Sequence, residues 1–121
     1  MLLKSFRPDV VATVREVAPH LRRGLLVEDH DPETVARCLD LGVWTCNPDH
    51  RLLADHPELV GDLHDAGIRV MTWTPNTADD WARVTALGVD AIMTDHPERL
   101  VGWLDGRSSG ADGAEPHVTG M

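Results

Sequence analysis

Positive charge is scarce in this chain. Its 121 residues carry 11 Lys and Arg against 20 Asp and Glu, a formal net charge of −9 at pH 7. A phosphate-backbone partner needs clustered cations, and so does an anionic membrane surface. Nucleic acid and such surfaces are therefore not expected partners. Long apolar runs are missing too. None approaches the ~18 residues that a membrane-spanning helix needs. The opening Met1-Leu2-Leu3-Lys4-Ser5-Phe6 is too short and wrongly ordered for a secretory signal, so the chain as written is expected in the cytoplasm. Cysteine is limited to Cys38 and Cys46, with no CxxC spacing. A disulfide-stapled secreted module would carry more. Two buried free thiols are the favoured reading. A redox pair is the alternative, opposed by a helical Cys38 and a Cys46 at the end of the next strand.

What remains is an ordinary soluble composition, 42% hydrophobic and 26% charged, with length for one domain. Gly24, Gly42, Gly67 and Gly88 each stand just before a short apolar run: Leu25 to Val27, Val43 to Cys46, Ile68 to Trp73, and Val89 to Thr94. Leu2 to Phe6 is a further candidate. Such nearly continuous runs suit strands buried on both faces. Between them the period turns helical, as in Val10, Val11, Val14, Val17 and Ala18, or Trp81, Val84 and Leu87. Pro8, Pro32, Pro57 and Pro97 suit first helical turns, Thr77 with Asp80 resembles a capping box, and the glycines after Leu41, Ala66 and Leu87 suit helix ends. The order is five strand–helix units, which implies parallel strands with right-handed crossovers. Arg107 to Met121 loses all apolar period and reads as a disordered tail after a domain over 1–106. A (β/α)8 barrel needs eight strands and about 250 residues. Five strands fit part of one, with Met1 falling inside the first strand, or a flavodoxin-like open sheet. The pattern alone does not choose.

The carboxy-terminal half chooses. It reads Leu63-His64-Asp65-Ala66-Gly67-Ile68-Arg69-Val70-Met71-Thr72-Trp73-Thr74-Pro75-Asn76, then Leu87-Gly88-Val89-Asp90-Ala91-Ile92-Met93-Thr94-Asp95-His96-Pro97. This resembles the closing segment of the glycerophosphodiester phosphodiesterase family, Trp-Thr-x-Asn followed by Gly-Val-Asp-x-Ile-x-Thr-Asp-x-Pro. Ser5-Phe6 and the helix after it look like that family's fourth strand and helix. Pro75 departs from the pattern, and Trp44 to His50 matches only loosely. The resemblance implies a partial (β/α)8 barrel, with five parallel β/α units corresponding to strands four to eight. It also implies hydrolysis of glycerophosphodiesters to glycerol 3-phosphate and an alcohol, with a divalent cation, Ca²⁺ or Mg²⁺. In the family that ion and two acid–base histidines are held by strands one to three. Those strands' motifs (His-Arg-Gly, an acidic pair with His-Asp, and Glu-x-Lys) do not occur here in context; His64-Asp65 lies late in a helix. No catalytic or metal-binding residue is therefore assigned, and the chain alone is expected to be inactive. A parent with an upstream signal would be secreted.

Residues just past barrel strands face the ligand. Here they are Ser5 and Phe6; Glu28, Asp29 and His30; Asn47; Trp73, Thr74 and Asn76; and Thr94, Asp95 and His96. By resemblance Trp73 is a pocket wall against the glycerol or alcohol, with core packing as the alternative. Asn76 and Asp95 complete the substrate-binding candidates, against the blander readings of loop residue and helix cap. Glu28, Asp29 and His30 point in different directions from an extended chain and suit a solvated loop. Open edges at strands four and eight would recruit a separate amino-terminal half or a second copy. A non-catalytic assembly module is thus the alternative function. A self-contained flavodoxin-like protein ranks last, because Arg7-Pro8-Asp9 after the first strand is not glycine-rich.

Overall fold

The computed structural model describes residues 2–107 and 116–120. Six parallel strands, β1 (Leu2–Ser5), β2 (Arg22–Val27), β3 (Thr45–Pro48), β4 (Arg69–Trp73), β5 (Ala91–Thr94) and β6 (His117–Gly120), pair in strictly sequential order. Helices α1 (Pro8–Val17), α2 (Thr34–Leu41), α3 (His50–Asp55), α4 (Glu58–Asp65), α5 (Ala78–Leu87) and α6 (Pro97–Arg107) fill the connections. Sequential order excludes the 2-1-3-4-5 arrangement of a flavodoxin-like sheet. The sheet curls into half of a (β/α)8 barrel.

Register sorts the side chains into two faces. Leu25, Cys46 and Val70 align across β2, β3 and β4, and Ile92 on β5 shares their face. All four belong to the buried core with Val11 (α1), Cys38 (α2), Leu53 (α3), Val60 and Leu63 (α4), Val84 (α5) and Leu100 (α6). Apolar stripes on the helices thus cover one face of the sheet. The other, concave face carries Lys4, Gly24, Thr45 and Arg69 in one row, and Trp73, Met93 and Thr119 in another. The curl is tight enough that Lys4 Nζ on β1 reaches Met93 Sδ on β5 at 2.8 Å. At the amino end of that face lies a hollow of about 580 Å³ bounded by Trp44, Arg69, Met71, Ala91 and His117.

Local chemistry sets the boundaries as expected at several points. Gly42, Gly67 and Gly88 take positive φ of 61°, 77° and 87°, a region other L residues enter at a cost. The Thr77 hydroxyl accepts from Asp80 N–H at 3.2 Å, capping α5. Trp81 and Trp103 pack ring against ring, with centroids 6.1 Å apart.

Three expectations change. The expected disordered tail contains β6, paired in register Ala91↔His117 through Thr94↔Gly120; residues 108–115 of that tail lie outside the described residues. With one apolar residue, Val118, among its four, the segment shows no strand period of its own, and pairing with the β5 edge makes it a strand. Secondly, the region before β4 holds two helices, because buried Asp49 starts a separate α3 by accepting from Arg51 N–H at 2.9 Å. Thirdly, β3 begins past Trp44, whose indole is flanked by the Arg22 and Arg69 guanidiniums at 4.5 and 4.4 Å.

The two thiols are free and fully buried. Cys38 on α2 and Cys46 on β3 nonetheless meet across the helix–sheet interface. The hydrogen bond with Cys38, with burial added, pushes the Cys46 thiol far above its usual range. A neutral buried thiol is a poor nucleophile. Native chain is expected to leave Ellman's reagent uncoloured, and denatured chain to release two equivalents; rapid native labelling of Cys46 would contradict this packing.

Candidate functional site

Barrel strands aim their carboxyl ends at the ligand, and here those ends converge on a small set of side chains. Lys4, one residue below the end of β1, lies on the concave face with the Met93 thioether against its ammonium. Burial lowers its pKa from the usual lysine range. Gly24 opposite it has no side chain because there is no room. A Cβ there would stand 2.7 Å from Asn47 Oδ1 and 3.0 Å from Lys4 Cγ. Asn47 is fully buried on β3; its Oδ1 accepts from the Thr45 hydroxyl in a short contact, while its Nδ2 donor has no partner. Lys4 and Asn47 therefore bring under-used donors to one patch of the floor.

Above that patch stand two aromatic residues, Trp73 at the end of β4 and Phe6 just past β1. Trp73 closes β4 half-buried, its indole N–H donating to Asn47 O at 2.7 Å. The Phe6 ring meets it edge-on, with centroids 5.8 Å apart at 87°. Two aromatic faces fixed this way offer an apolar surface whose orientation is set by a hydrogen bond.

Asn76 and Asp95 do a structural job at the rim. Asn76 Oδ1 accepts from the Thr94 hydroxyl at 2.9 Å and from Asp95 N–H at 3.0 Å, and its Nδ2 donates to Asp95 Oδ2 at 2.8 Å. The loop after β4 is thereby locked to the end of β5. The helix-cap reading for Asp95 gives way, since its carboxylate takes the Asn76 amide and Thr94 Oγ1 accepts from His96 N–H at 3.2 Å. Trp81 N–H donates to Pro75 O at 2.6 Å and holds the same loop from the helix side.

Other rim carboxylates are engaged elsewhere. Burial pushes the Asp49 carboxyl up, but the Arg51 guanidinium and Arg51 N–H outweigh it and hold it below the usual carboxylate range. A depressed folded-state pKa adds stability that is present above the ordinary carboxylate range and is lost as pH falls through the lowered value. Asp49→Asn is expected to flatten the acid limb of the stability curve, read by urea unfolding from roughly pH 3 to 6. An unchanged limb would remove Asp49 from the account. Asp80 is paired with Arg83 at 3.1 Å, and the same guanidinium donates to His50 O at 2.8 Å. His30 stacks on His56 with centroids 3.8 Å apart, while His56 Nδ1 meets Glu58 Oε1 at 3.3 Å. Among the described residues no three His, Cys, Asp or Glu side chains are placed to hold a metal ion. Asp49 and Asp95 have other partners and do not converge, so these residues do not fit the hard-cation site the family implies.

The three candidates read from sequence thus lie at one end of the half-barrel. Trp73 stands against the Phe6 ring, and Asn76 and Asp95 lock the loop beside it. Lys4 escaped sequence reading, although a lone charge inside an apolar strand-like run was a visible signal.

The family model of glycerophosphoryl diester phosphodiesterases matches residues 1–99. A glycerophosphodiester phosphodiesterase of Caldanaerobacter subterraneus subsp. tengcongensis is 31% identical over 101 residues, which is 84% of this chain and 41% of that protein. Among solved structures, a protein of Silicibacter pomeroyi assigned to glycerophosphoryl diester phosphodiesterases superposes with TM-score 0.77 at 30% identity, over 88% of this chain and 38% of that one. A phosphodiesterase of Oleispira antarctica, solved with the product sn-glycerol-3-phosphate, shares the fold at TM-score 0.78 and 21% identity, over 86% of this chain and 41% of its own. The chain spans about two fifths of the length of these relatives. With the match running from β1 through β5 and into α6, the chain belongs to the glycerophosphoryl diester phosphodiesterase family.

Proposed function

We propose that this chain is the carboxy-terminal part of a glycerophosphodiester phosphodiesterase. The complete barrel would cleave glycerophosphodiesters to glycerol 3-phosphate and an alcohol with a divalent cation. The observation that carries this reading is the family match over residues 1–99, together with an alignment that takes in 41% of a relative's length. Cleaving a phosphodiester requires charge neutralisation on the phosphoryl group, an activated nucleophile and a proton for the departing alkoxide. The residues here supply a binding surface instead. Trp73 and Phe6 would wall the glycerol or alcohol, and Asn76 and Asp95 would hold that wall in place. The expected result is that the purified chain with Ca²⁺ or Mg²⁺ releases no glycerol 3-phosphate from glycerophosphocholine. Turnover that a chelator abolishes would overturn the inactive-alone reading.

A second reading, a non-catalytic half-barrel that assembles with another chain or with itself, is favoured by the outer edge of β1. Among the described residues that edge pairs with no strand. An unpaired edge beside an open concave face recruits strands. This reading expects a defined oligomer by light scattering. A monomer at micromolar concentration, with no capture of an amino-terminal half, would count against it.

A further inference from the structure

A closed (β/α)8 barrel seats its first strand, parallel, against the free edge of its eighth. In this chain β5 is the eighth strand, and β6 already occupies that edge. The pairing is parallel, from Ala91↔His117 to Thr94↔Gly120, with His117 N–H donating to Asp90 O at 2.9 Å. Yet β6 lies beyond the family match, which ends at residue 99. It is also built unlike a barrel strand. β5 reads Ala-Ile-Met-Thr and is buried throughout, whereas His117, Thr119 and Gly120 are exposed and only Val118 packs against the core. Interior barrel strands are buried on both faces. A four-residue strand with one apolar anchor gives up little when it leaves.

We infer that β6 is a displaceable guard strand in the seat of the barrel's first strand, and that the occupant it yields to is the amino-terminal β/α half of a barrel of this family. The inference rests on the reading of this chain as the carboxy-terminal part of such a barrel. While β6 is seated, it hides an apolar edge that would otherwise invite strand addition. When the amino-terminal half arrives, its first strand offers longer pairing and burial on both faces, and β6 gives up the β5 edge.

The test co-expresses the chain with the amino-terminal part of the Caldanaerobacter relative, the portion that precedes its matched region. Three forms are compared: the full chain, the chain lacking residues 108–121, and His117→Pro, which removes the N–H that bonds Asp90 O. In the chain alone, His117→Pro is expected to speed hydrogen exchange in the peptide spanning 89–95 at least tenfold. In the complex, residues 117–120 of the full chain are expected to lose protection while 91–94 keep theirs. Both altered forms are expected to bind the amino-terminal part at least tenfold more tightly than the full chain. Equal or weaker binding, or retained protection at 117–120 in the complex, overturns the guard role and leaves the completed-barrel reading standing. No complex with any form overturns both.

Discussion

Leu63→Ala is expected to lower the unfolding free energy by about 3 kcal/mol, within the range of roughly 2 to 5 kcal/mol for a buried Leu truncation. Leu63 is fully buried on α4 in the cluster between helices and sheet. Its carbonyl also accepts from Ile68 N–H at 2.9 Å, where the chain leaves α4 for β4. The surroundings are backbone-tethered on both sides and collapse poorly into a void. The loss weighs heavily because, among the described residues, one sheet face alone has a helix-covered core. For a domain with about 5 to 15 kcal/mol in total, such a change removes a large share. Urea unfolding followed by circular dichroism reads it, with exposed Asp62→Ala as the control expected within about 0.5 kcal/mol. A Leu63 cost near the control's would mean that α4 is not docked as described.

Asn76→Ala is the second large effect, expected at about 2 to 3 kcal/mol. The amide makes three hydrogen bonds, each contributing about 1 kcal/mol, and its loss leaves the buried Thr94 hydroxyl without its acceptor. Asp95→Ala is expected to cost less, since it removes one bond at an exposed carboxylate. Thermal unfolding separates the two. Trp73 adds a readout, because a released loop alters the environment of the indole at the end of β4. Equal shifts for Asn76→Ala and Asp95→Ala would mean that the clamp works through the carboxylate.

The alternation of strands and helices was legible because glycine, apolar run and capping residue recur together. Gly42 and Gly88 end helices in the left-handed conformation, and Thr77 caps α5. The motif around Trp73 and Asp95 was legible as a resemblance, and it located one end of the half-barrel. What it could not convey was that Asn76 serves Thr94 and Asp95, since that depends on two loops meeting from 18 and 19 residues apart. The Asn47 floor was hidden for a similar reason. It arises where Gly24 and Lys4 from other strands leave one spot free. Cys38 and Cys46 seemed separated by belonging to a helix and a strand, yet packing α2 on β3 brings such residues together. β6 was beyond local reading, because its conformation is imposed by the β5 edge rather than by its own residues.

The strictly sequential strand order has a consequence for how the chain melts. Each strand pairs only with the units immediately before and after it in sequence, the nearest-neighbour arrangement of a repeat array. Opening should therefore travel inward from the ends rather than strike the whole sheet at once. Cys46 and Val70, paired at the middle of the row, would be the last backbone amides to exchange, and those near Leu2 and Gly120 the first. The half-barrel would behave like a short spring clip, stiff at its bend and loose at its tips.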